Sequence, residues 1–242
     1  MANFPDTTDG TTTQSIAAAI DRALEGRHLL EHPFYQRWES GELTEGELAA
    51  YAVQYRAFEA LLPELLGDVA AQLRGTGRDT AASQVERNLD DELGRPEPHL
   101  ALFDRFADAV TATGGPTGPR QAVEGADREG PAALALVATY RGLLDDGPVA
   151  ALAGLAAYET QAAAIAASKA DGLRRWYGVD ASGTAFWDVH AEMDAEHGDW
   201  TVATLAHLQA DCGEVESAAG KGARAWWSLL DERQDAVPAA AV

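Results

Sequence analysis

The chain has 242 residues, 46% of them hydrophobic, so it is long enough to bury a substantial core within one large domain. Its formal net charge of -21 repels nucleic-acid phosphates and anionic lipid surfaces, so we expect no nucleic-acid partner and no membrane partner. A single cysteine excludes an internal disulfide and a cysteine-rich zinc site, so any metal must be held by His, Asp and Glu.

The amino-terminal segment MANFPDTTDGTTTQ has neither a basic n-region nor an apolar stretch. No apolar run is expected to reach the length that crosses a bilayer. We therefore expect a cytoplasmic protein. We also expect one helical domain over 1–242, with disordered or frayed ends at about 1–13 and 236–242.

Apolar residues recur with a period near 3.6 along most of the chain, and the alternating pattern of exposed strands is scarce. The sequence therefore predicts an all-α fold without internal repeats. Helices are predicted, in chain order, over 14–29, 33–39, 45–74, 80–93, 99–113, 131–144, 148–177, 184–211 and 214–234. The longest connection, 114–130, is rich in Gly and Pro and should be an exposed loop within the domain.

Several predicted helix boundaries carry specific signals. Thr44 and Glu47 have the spacing of a capping box, and Pro148 occupies a first-turn position. Thr184 is placed to cap the helix that follows it. Pro63 should kink the third helix or end it, because proline lacks the amide proton that a helix interior uses.

The segment NLDDELGRPEPHLALF contains a carboxylate and an imidazole seven residues apart, Glu92 and His99. One continuous helix would place both on the same face. Gly94, Pro96 and Pro98 lie between them and make a continuous helix unfavourable. We therefore expect Glu92 to end one helix and His99 to start the next.

A lone carboxylate, Glu159, occurs in the Ala- and Leu-rich segment ALAGLAAYETQAAAIAASK. Leu152, Leu155 and Ala166 share its face of the predicted helix. A carboxylate in such company is costly to bury unless it is paired or ligated. The alternative interpretation is that Glu159 is an exposed helix residue.

The segment HAEMDAEH places His190, Asp194 and His197 within an arc of about 60° on one helix face. Two imidazoles and a carboxylate suit iron, manganese or zinc, and they leave coordination positions for ligands from elsewhere. The alternative is a helix whose two histidines are hydrogen-bonded in the core. The other three histidines are assigned to packing or surface roles: His28, His32 and His207.

Together, these segments supply three carboxylates and three imidazoles from at least three helices: Glu92, His99, Glu159, His190, Asp194 and His197. Helical di-iron proteins also direct carboxylates and a few histidines inward from facing helices. Six such side chains can hold two metal ions and leave open positions for dioxygen or a substrate. Three neighbouring polar residues are candidates for orienting these ligands: Tyr158, Asp188 and Glu192.

These segments resemble the haem-oxygenase-like dimetal oxidases, relatives of the thiaminases and the pyrroloquinoline-quinone-forming proteins. The resemblance covers about residues 20–210 and includes all six ligand positions. It is strongest to the subgroup of chlamydial and other bacterial proteins that supply p-aminobenzoate for folate synthesis. It implies a haem-oxygenase-like helical bundle with an Fe/Fe or Fe/Mn centre, which uses dioxygen and an external reductant whose donor is unknown. We further expect a homodimer.

Two further residues take a role from the resemblance. The stretch LEHPFYQRWESGELTEGELAAYAVQY is similar to an early segment of the subgroup and contains Tyr35, and YETQAAAIAASKADGLRRWYG is similar to a later one and contains Lys169. In the subgroup this tyrosine is cut from the chain to become the aromatic ring, and the lysine is implicated as the amino donor. From the residues alone, Tyr35 would be an ordinary core tyrosine and Lys169 an exposed or snorkelling lysine.

The sequence also departs from its relatives. After Tyr55, RAFEALLPELL differs from the chlamydial pattern, so the substrate channel is expected to differ. Cys212 lies near the end of the chain, whereas the thiaminases use a mid-chain cysteine as nucleophile, which argues against that branch.

Two other functions stay open at the level of the sequence. An oxidase of the same fold could act on a separate small molecule, such as an amino acid or a fatty acid, and would then keep the metals without the role of Tyr35. Alternatively, the chain could be an interaction module without catalysis, since a chlamydial member of the subgroup is named for its association with death domains.

Overall fold

The computed structural model describes residues 10–94, 97–112 and 128–236, except for the side chains of Thr11, Asp194 and Ala195. The chain ends beyond this range and most of the predicted loop at 114–130 therefore lie outside the described residues. Within the described residues every regular element is a helix, which confirms the predicted all-α fold.

Nine α-helices and one short 3₁₀ helix are present in the described part of the chain. The α-helices are α1 (Gly10–Leu24), α2 (Pro33–Glu39), α3 (Glu45–Gly75), α4 (Asp79–Glu92), α5 (His99–Ala112), α6 (Pro131–Asp146), α7 (Pro148–Tyr177), α8 (Ala181–His207) and α9 (Cys212–Asp235). The 3₁₀ helix, Leu29–Glu31, lies between α1 and α2.

The boundary signals at α3, α4, α5 and α7 are confirmed. The hydroxyl of Thr44 accepts a hydrogen bond from the backbone amide of Glu47 at 3.2 Å, and the Glu47 carboxylate accepts one from the Thr44 amide at 2.8 Å. Pro148 lies in the first turn of α7. Glu92 is the last residue of α4 and His99 the first of α5, so the two residues stand on either side of a helix break.

The predicted cap of α8 is wrong. Asp180 caps this helix, because its carboxylate accepts hydrogen bonds from the amides of Ser182 and Gly183. Thr184 lies within the first turn instead, and its hydroxyl donates to Asp188 at 3.0 Å. Aspartate satisfies free helix amides at least as well as threonine, so the earlier residue starts the helix.

The helices α1 and α3 also depart from what the sequence predicts. Pro63 was predicted to kink α3 or to end it; the helix continues through this proline to Gly75, so the second alternative is wrong. The helix α1 begins at Gly10 and ends at Leu24, several residues before the predicted end. The chain leaves α1 through Gly26, whose φ of 66° lies in the left-handed region that glycine favours.

The long helices α3 and α7 lie against one another and organise the rest of the molecule. The helix α7 packs against α8 and α9, while α3 packs against α4, α5 and α6. Small residues permit a close approach of α7 and α9: a Cβ atom built on Gly222 of α9 would stand 2.8 Å from the carbonyl oxygen of Gly154 of α7. The break between α4 and α5 is thereby held beside α8, where the predicted metal ligands converge.

The helix α7 corrects the expectation that no segment is apolar enough to cross a membrane. By length and composition alone, Pro148–Tyr177 meets that condition. However, 67% of its most apolar window is buried inside the structure, because neighbouring helices cover it. This burial is typical of the core helix of a soluble protein.

Candidate metal centre and tyrosine cluster

The six predicted metal ligands come from four helices that meet in the core. Glu92 ends α4, His99 begins α5 and Glu159 lies in the middle of α7. The other three, His190, Asp194 and His197, all lie on α8. The side chain of Asp194 is outside the described residues, so its prediction as a ligand is untested.

Three of the ligands form a compact buried group. Potential ligand atoms of Glu92, His99 and His190 all lie within 4.8 Å of one another. The Nδ1 atom of His99 is 3.1 Å from Glu92 Oε2, and the centroids of the two imidazole rings are 4.6 Å apart. The Nδ1 atom of His190 is 2.7 Å from the carbonyl oxygen of Phe186. A proton donated there leaves Nε2 of His190 with the lone pair that a metal needs.

The surroundings of Glu92 favour its ionised form. Burial by itself would raise the pKa of this carboxyl group. The hydrogen bond from His99 and the charges of His190, His99 and His197 oppose burial, and together they bring the pKa of Glu92 below its ordinary value. Glu92 is therefore ionised near neutral pH, as a metal-binding carboxylate must be.

The remaining described ligands are held by polar neighbours that were not predicted. Glu159 is half-buried and accepts hydrogen bonds from Asn88 at 3.1 Å and from the hydroxyl of Thr201 at 2.5 Å. The Nε2 atom of His197 is 3.2 Å from Asp91 Oδ2. These contacts argue against the alternative that Glu159 is simply an exposed helix residue. Asp91 directly precedes Glu92, and this adjacency was the only sequence signal for it.

A small cavity of about 20 Å³ lies between these groups, which is room for roughly one water molecule. Four of the predicted ligands line it: Glu92, Glu159, His190 and His197. Tyr158 and Glu59 add two more polar side chains, and the rest of the wall is aromatic or aliphatic. Carboxylate and imidazole groups that line one small cavity are a suitable donor set for iron or manganese.

The candidate orienting residues divide clearly. Tyr158 lines the cavity, and its hydroxyl oxygen is 2.6 Å from that of Tyr55. Asp188 pairs instead with Arg174 near the start of α8, and Glu192 is exposed, so neither is placed to orient a ligand. Among the other histidines, His32 has the expected packing role, because it accepts a hydrogen bond from the Phe34 amide at the start of α2.

Tyr35 and Lys169 meet in a second buried group, beside the cavity but not in its wall. The amine of Lys169 lies 4.5 Å from the centroid of the Tyr35 ring and 4.1 Å from that of Trp187. It is within hydrogen-bonding distance, 2.5 Å, of the Tyr51 hydroxyl, which is 2.7 Å from the Tyr35 hydroxyl. Lys169 is only 2% exposed, so the interpretation of an exposed or snorkelling lysine is wrong.

Burial changes the acid–base properties of this group. Desolvation lowers the pKa of Lys169 well below its ordinary value, although the charge of Glu59 acts in the opposite direction. Desolvation also raises the pKa of Tyr35, and the hydrogen bond with Tyr51 offsets only part of this rise. The amine is therefore biased toward its neutral form, which can act as a nucleophile, while the phenol keeps its proton.

Aromatic side chains join the two groups. The rings of Tyr51 and Tyr55 are one helical turn apart on α3, with centroids separated by 5.5 Å. Tyr55 contacts Tyr158 through their hydroxyl groups, and both line the cavity. Sequence reasoning missed Tyr51 and Tyr55, although their spacing of four residues places them on one face of α3. The phenols of Tyr51 and Tyr35 therefore stand next to the aromatic wall of the candidate metal centre.

Comparison with known proteins identifies the family. The family model described as an iron-containing redox enzyme, of haem-oxygenase type, matches residues 49–231 of the chain. The chain belongs to this haem-oxygenase-like family. It is thus a member of a family of iron-containing redox enzymes. The resemblance seen in the sequence is confirmed.

Curated relatives of this haem-oxygenase-like protein include 4-aminobenzoate synthases. The compound 4-aminobenzoate is the same as p-aminobenzoate. The one from Nitrosomonas europaea is 32% identical over 230 residues, which cover 90% of this chain and 91% of the relative. The one from Chlamydia pneumoniae is 33% identical over 180 residues, or 74% of this chain and 75% of the relative.

Solved structures show the same fold. A CADD-like protein of unknown function from Nostoc punctiforme matches with a TM-score of 0.74 at 18% identity, over 95% of this chain and 100% of the other. A TenA homolog from Pseudomonas syringae matches with a TM-score of 0.70 at 15% identity, over 95% of this chain and 93% of the other. These similarities confirm the predicted haem-oxygenase-like bundle.

Proposed function

We propose that this protein makes p-aminobenzoate for folate synthesis, with the ring of its own Tyr35 as the aromatic source and Lys169 as the amino donor. The observation that carries the proposal is the buried amine of Lys169, 4.5 Å from the Tyr35 ring, in a chain that resembles 4-aminobenzoate synthases over most of its length. The two residues are far apart in sequence, yet their side chains lie together in one buried cluster.

Two transition-metal ions, Fe/Fe or Fe/Mn, would supply the oxidising power by activating dioxygen with electrons from a reductant. We assign them to six residues, namely Glu92, His99, Glu159, His190, Asp194 and His197. Support comes from the three buried ligands that approach one another within 4.8 Å and from the cavity that four of the six residues line. The iron-containing family agrees with this donor set.

The remaining residues prepare the reactants. Tyr51 holds the Tyr35 phenol and the Lys169 amine through one hydroxyl group. The surrounding aromatic rings exclude water, which keeps the amine neutral and protects reactive species from hydrolysis. The cavity beside the ligands has room for roughly one water molecule, which favours a protein-derived ring over a separate amino-acid or fatty-acid substrate.

The proposal can be tested by a single-turnover experiment. The protein is loaded with iron and manganese without oxygen and then exposed to oxygen and a reductant, with no aromatic compound added. We expect at most one p-aminobenzoate per chain, together with loss of the Tyr35 ring from the corresponding peptide, measured by mass spectrometry. Such a reaction stops after one event because it consumes its own residue.

Variants give the matched controls. Tyr35→Phe and Lys169→Arg should each suppress the product while the metal content stays at the parent level. Tyr177→Phe, which changes a half-buried tyrosine outside the cluster, should leave the yield unchanged. Full product from Tyr35→Phe, or many turnovers on an added substrate with Tyr35 intact, would replace self-sacrifice by an ordinary oxidase reaction.

A further inference from the structure

A buried carboxylate on α3, Glu59, lies outside the six-residue ligand set. It is only 4% exposed, and it lines the cavity that also contains Glu92, Glu159, His190 and His197. None of the sequence patterns that pointed to the six ligands includes it. Its position in the cavity wall brings a third glutamate to the same small space.

The geometry of α3 explains why this side chain faces the cavity. Tyr51, Tyr55 and Glu59 are spaced by four residues, so they lie along one face of the helix. Tyr55 and Glu59 both line the cavity, and Leu62 continues the same wall. The helix α3 therefore forms one wall of the site. None of the six proposed ligands lies on this helix.

We infer that Glu59 is a seventh metal-binding side chain of the centre, and that its carboxylate binds one of the two ions. This inference rests on the proposed dimetal function. Two divalent ions carry four positive charges, whereas Glu92, Glu159 and Asp194 supply three negative ones. Glu59 supplies the fourth and makes the buried centre neutral, which reduces the cost of enclosing the charge. Four carboxylates are also typical of helical di-iron proteins.

Repulsion between carboxylates gives a second argument. Three glutamates lining a cavity of about 20 Å³ repel one another when ionised and shielded from water. A cation in the cavity relieves this repulsion, and more so for each carboxylate that contacts it. A Glu59 carboxylate that contacts the cation therefore adds to the driving force for metal binding.

The rival role for Glu59 is a counter-charge for Lys169. Its charge does favour the protonated form of that amine. However, the hydrogen bond of the amine goes to Tyr51, which lies eight residues, or about 12 Å along the helix axis, before Glu59. Glu59 therefore lies at the end of the α3 face that borders the candidate metal centre. A measurement of metal binding distinguishes a metal ligand from a counter-charge for Lys169.

The test compares metal binding by the parent, Glu59→Gln and Glu64→Gln. The control Glu64 lies on the same helix but is exposed, where it pairs with Arg141. Each metal-free protein is titrated anaerobically with Mn²⁺ or Fe²⁺. The metal bound per chain is measured by inductively coupled plasma mass spectrometry. We expect Glu59→Gln to bind one ion at least about tenfold more weakly, while Glu64→Gln matches the parent.

A thermal melt of the same metal-free samples distinguishes lost binding from lost folding. Metal-free Glu59→Gln should unfold cooperatively near the melting temperature of the metal-free parent, because the substitution keeps the shape of the side chain. If that variant does not fold, Glu59→Asp replaces it. The shorter carboxylate should then weaken the binding of one ion by about tenfold, the low end of the effects seen around metal sites.

The outcomes are distinct. Glu59→Gln with parent stoichiometry and parent affinity overturns the seventh-ligand role, and so does Glu59→Asp with parent affinity where the Gln variant cannot be used. Reduced product with unchanged metal binding also overturns it and favours the counter-charge. A folded parent that binds no iron or manganese refutes the dimetal function itself, and that result is recognisable without any variant.

Discussion

At the scale of single residues, the main feature is a basic amine in an aromatic core. The amine of Lys169 is surrounded by the rings of Tyr35, Tyr51, Tyr55 and Trp187, all with centroids within 5 Å. Burial lowers its pKa well below 10.5 in the folded protein, whereas the unfolded chain returns it to the ordinary value. The free energy of unfolding must therefore depend on pH through this residue.

We expect Lys169→Met to fold and to lose this dependence. Between the folded and unfolded pKa values of the lysine, the unfolded chain binds more protons, so the stability of the parent rises with pH in that window. Within that window the parent should gain up to about 1.4 kcal/mol per pH unit relative to the variant. Urea unfolding of both metal-free proteins at several pH values measures the difference.

The control for this prediction is Lys221→Met, which changes an exposed lysine paired with Asp146. Its stability should follow the pH dependence of the parent. Equal slopes for the parent and Lys169→Met would show that Lys169 carries a proton in the folded protein at neutral pH. The amine could not then be a ready nucleophile.

The sequence alone could not reveal this cluster. Tyr35 and Lys169 have no distinctive spacing, and only the family resemblance drew attention to them. Tyr51, which joins them, was not predicted at all. Its contact with Lys169 spans 118 residues, and such a contact depends on how α3 and α7 pack rather than on any local pattern.

At the scale of the elements, local sequence signals predicted the helix ends correctly where the residues at the boundary favour one end position. The start of α3 was predicted from the capping box of Thr44 and Glu47. The end of α4 was predicted from the glycine and prolines that follow Glu92. The start of α8 was ambiguous, because Asp180 and Thr184 are both good caps one turn apart. The short turn after α7 decides it: Gly178 adopts a φ of 64°, the Val179 amide bonds back to Leu173, and the next residue already caps α8.

The cap gives a prediction about α8, the helix that carries three proposed ligands. Asp180→Ala should lower the free energy of unfolding by about 1 kcal/mol, because two helix amides lose their acceptor. Ser182→Ala, an exposed change in the same turn, should stay within about 0.5 kcal/mol of the parent. Urea unfolding measures both. Equal stabilities for the parent and Asp180→Ala would show that another residue caps the helix.

At the scale of the whole molecule, the proposed centre depends on long-range packing. The ligands extend from Glu92 to His197 and come from four helices. Spacing could reveal the three ligands on α8, and an unusual composition could reveal Glu159. Glu59 gave no such signal, because a glutamate in the middle of a long helix is normally exposed. Only the assembled helices show that α3 turns this carboxylate inward.

Metal removal should therefore affect the stability of the entire chain. Loaded protein should melt at a higher temperature than chelator-treated protein, by the equivalent of about 2.7 kcal/mol when free metal exceeds its dissociation constant a hundredfold. Scanning calorimetry of the two forms measures this difference. His190→Ala should show a smaller shift between the two forms. The same melting temperature with and without metal would mean that the ligands do not form one buried site.

The burial of Tyr35 also bears on the life of the protein after the reaction. Its ring packs against Phe34 and Tyr51 in the core. Loss of a large buried side chain leaves a void that typically costs about 3–5 kcal/mol, a large part of the stability of a natural domain. A chain that has given up its ring would open more often and be degraded sooner by cellular proteases. Each chain would then be degraded after it has formed its product. The supply of p-aminobenzoate would therefore be set by the rate at which new chains are translated.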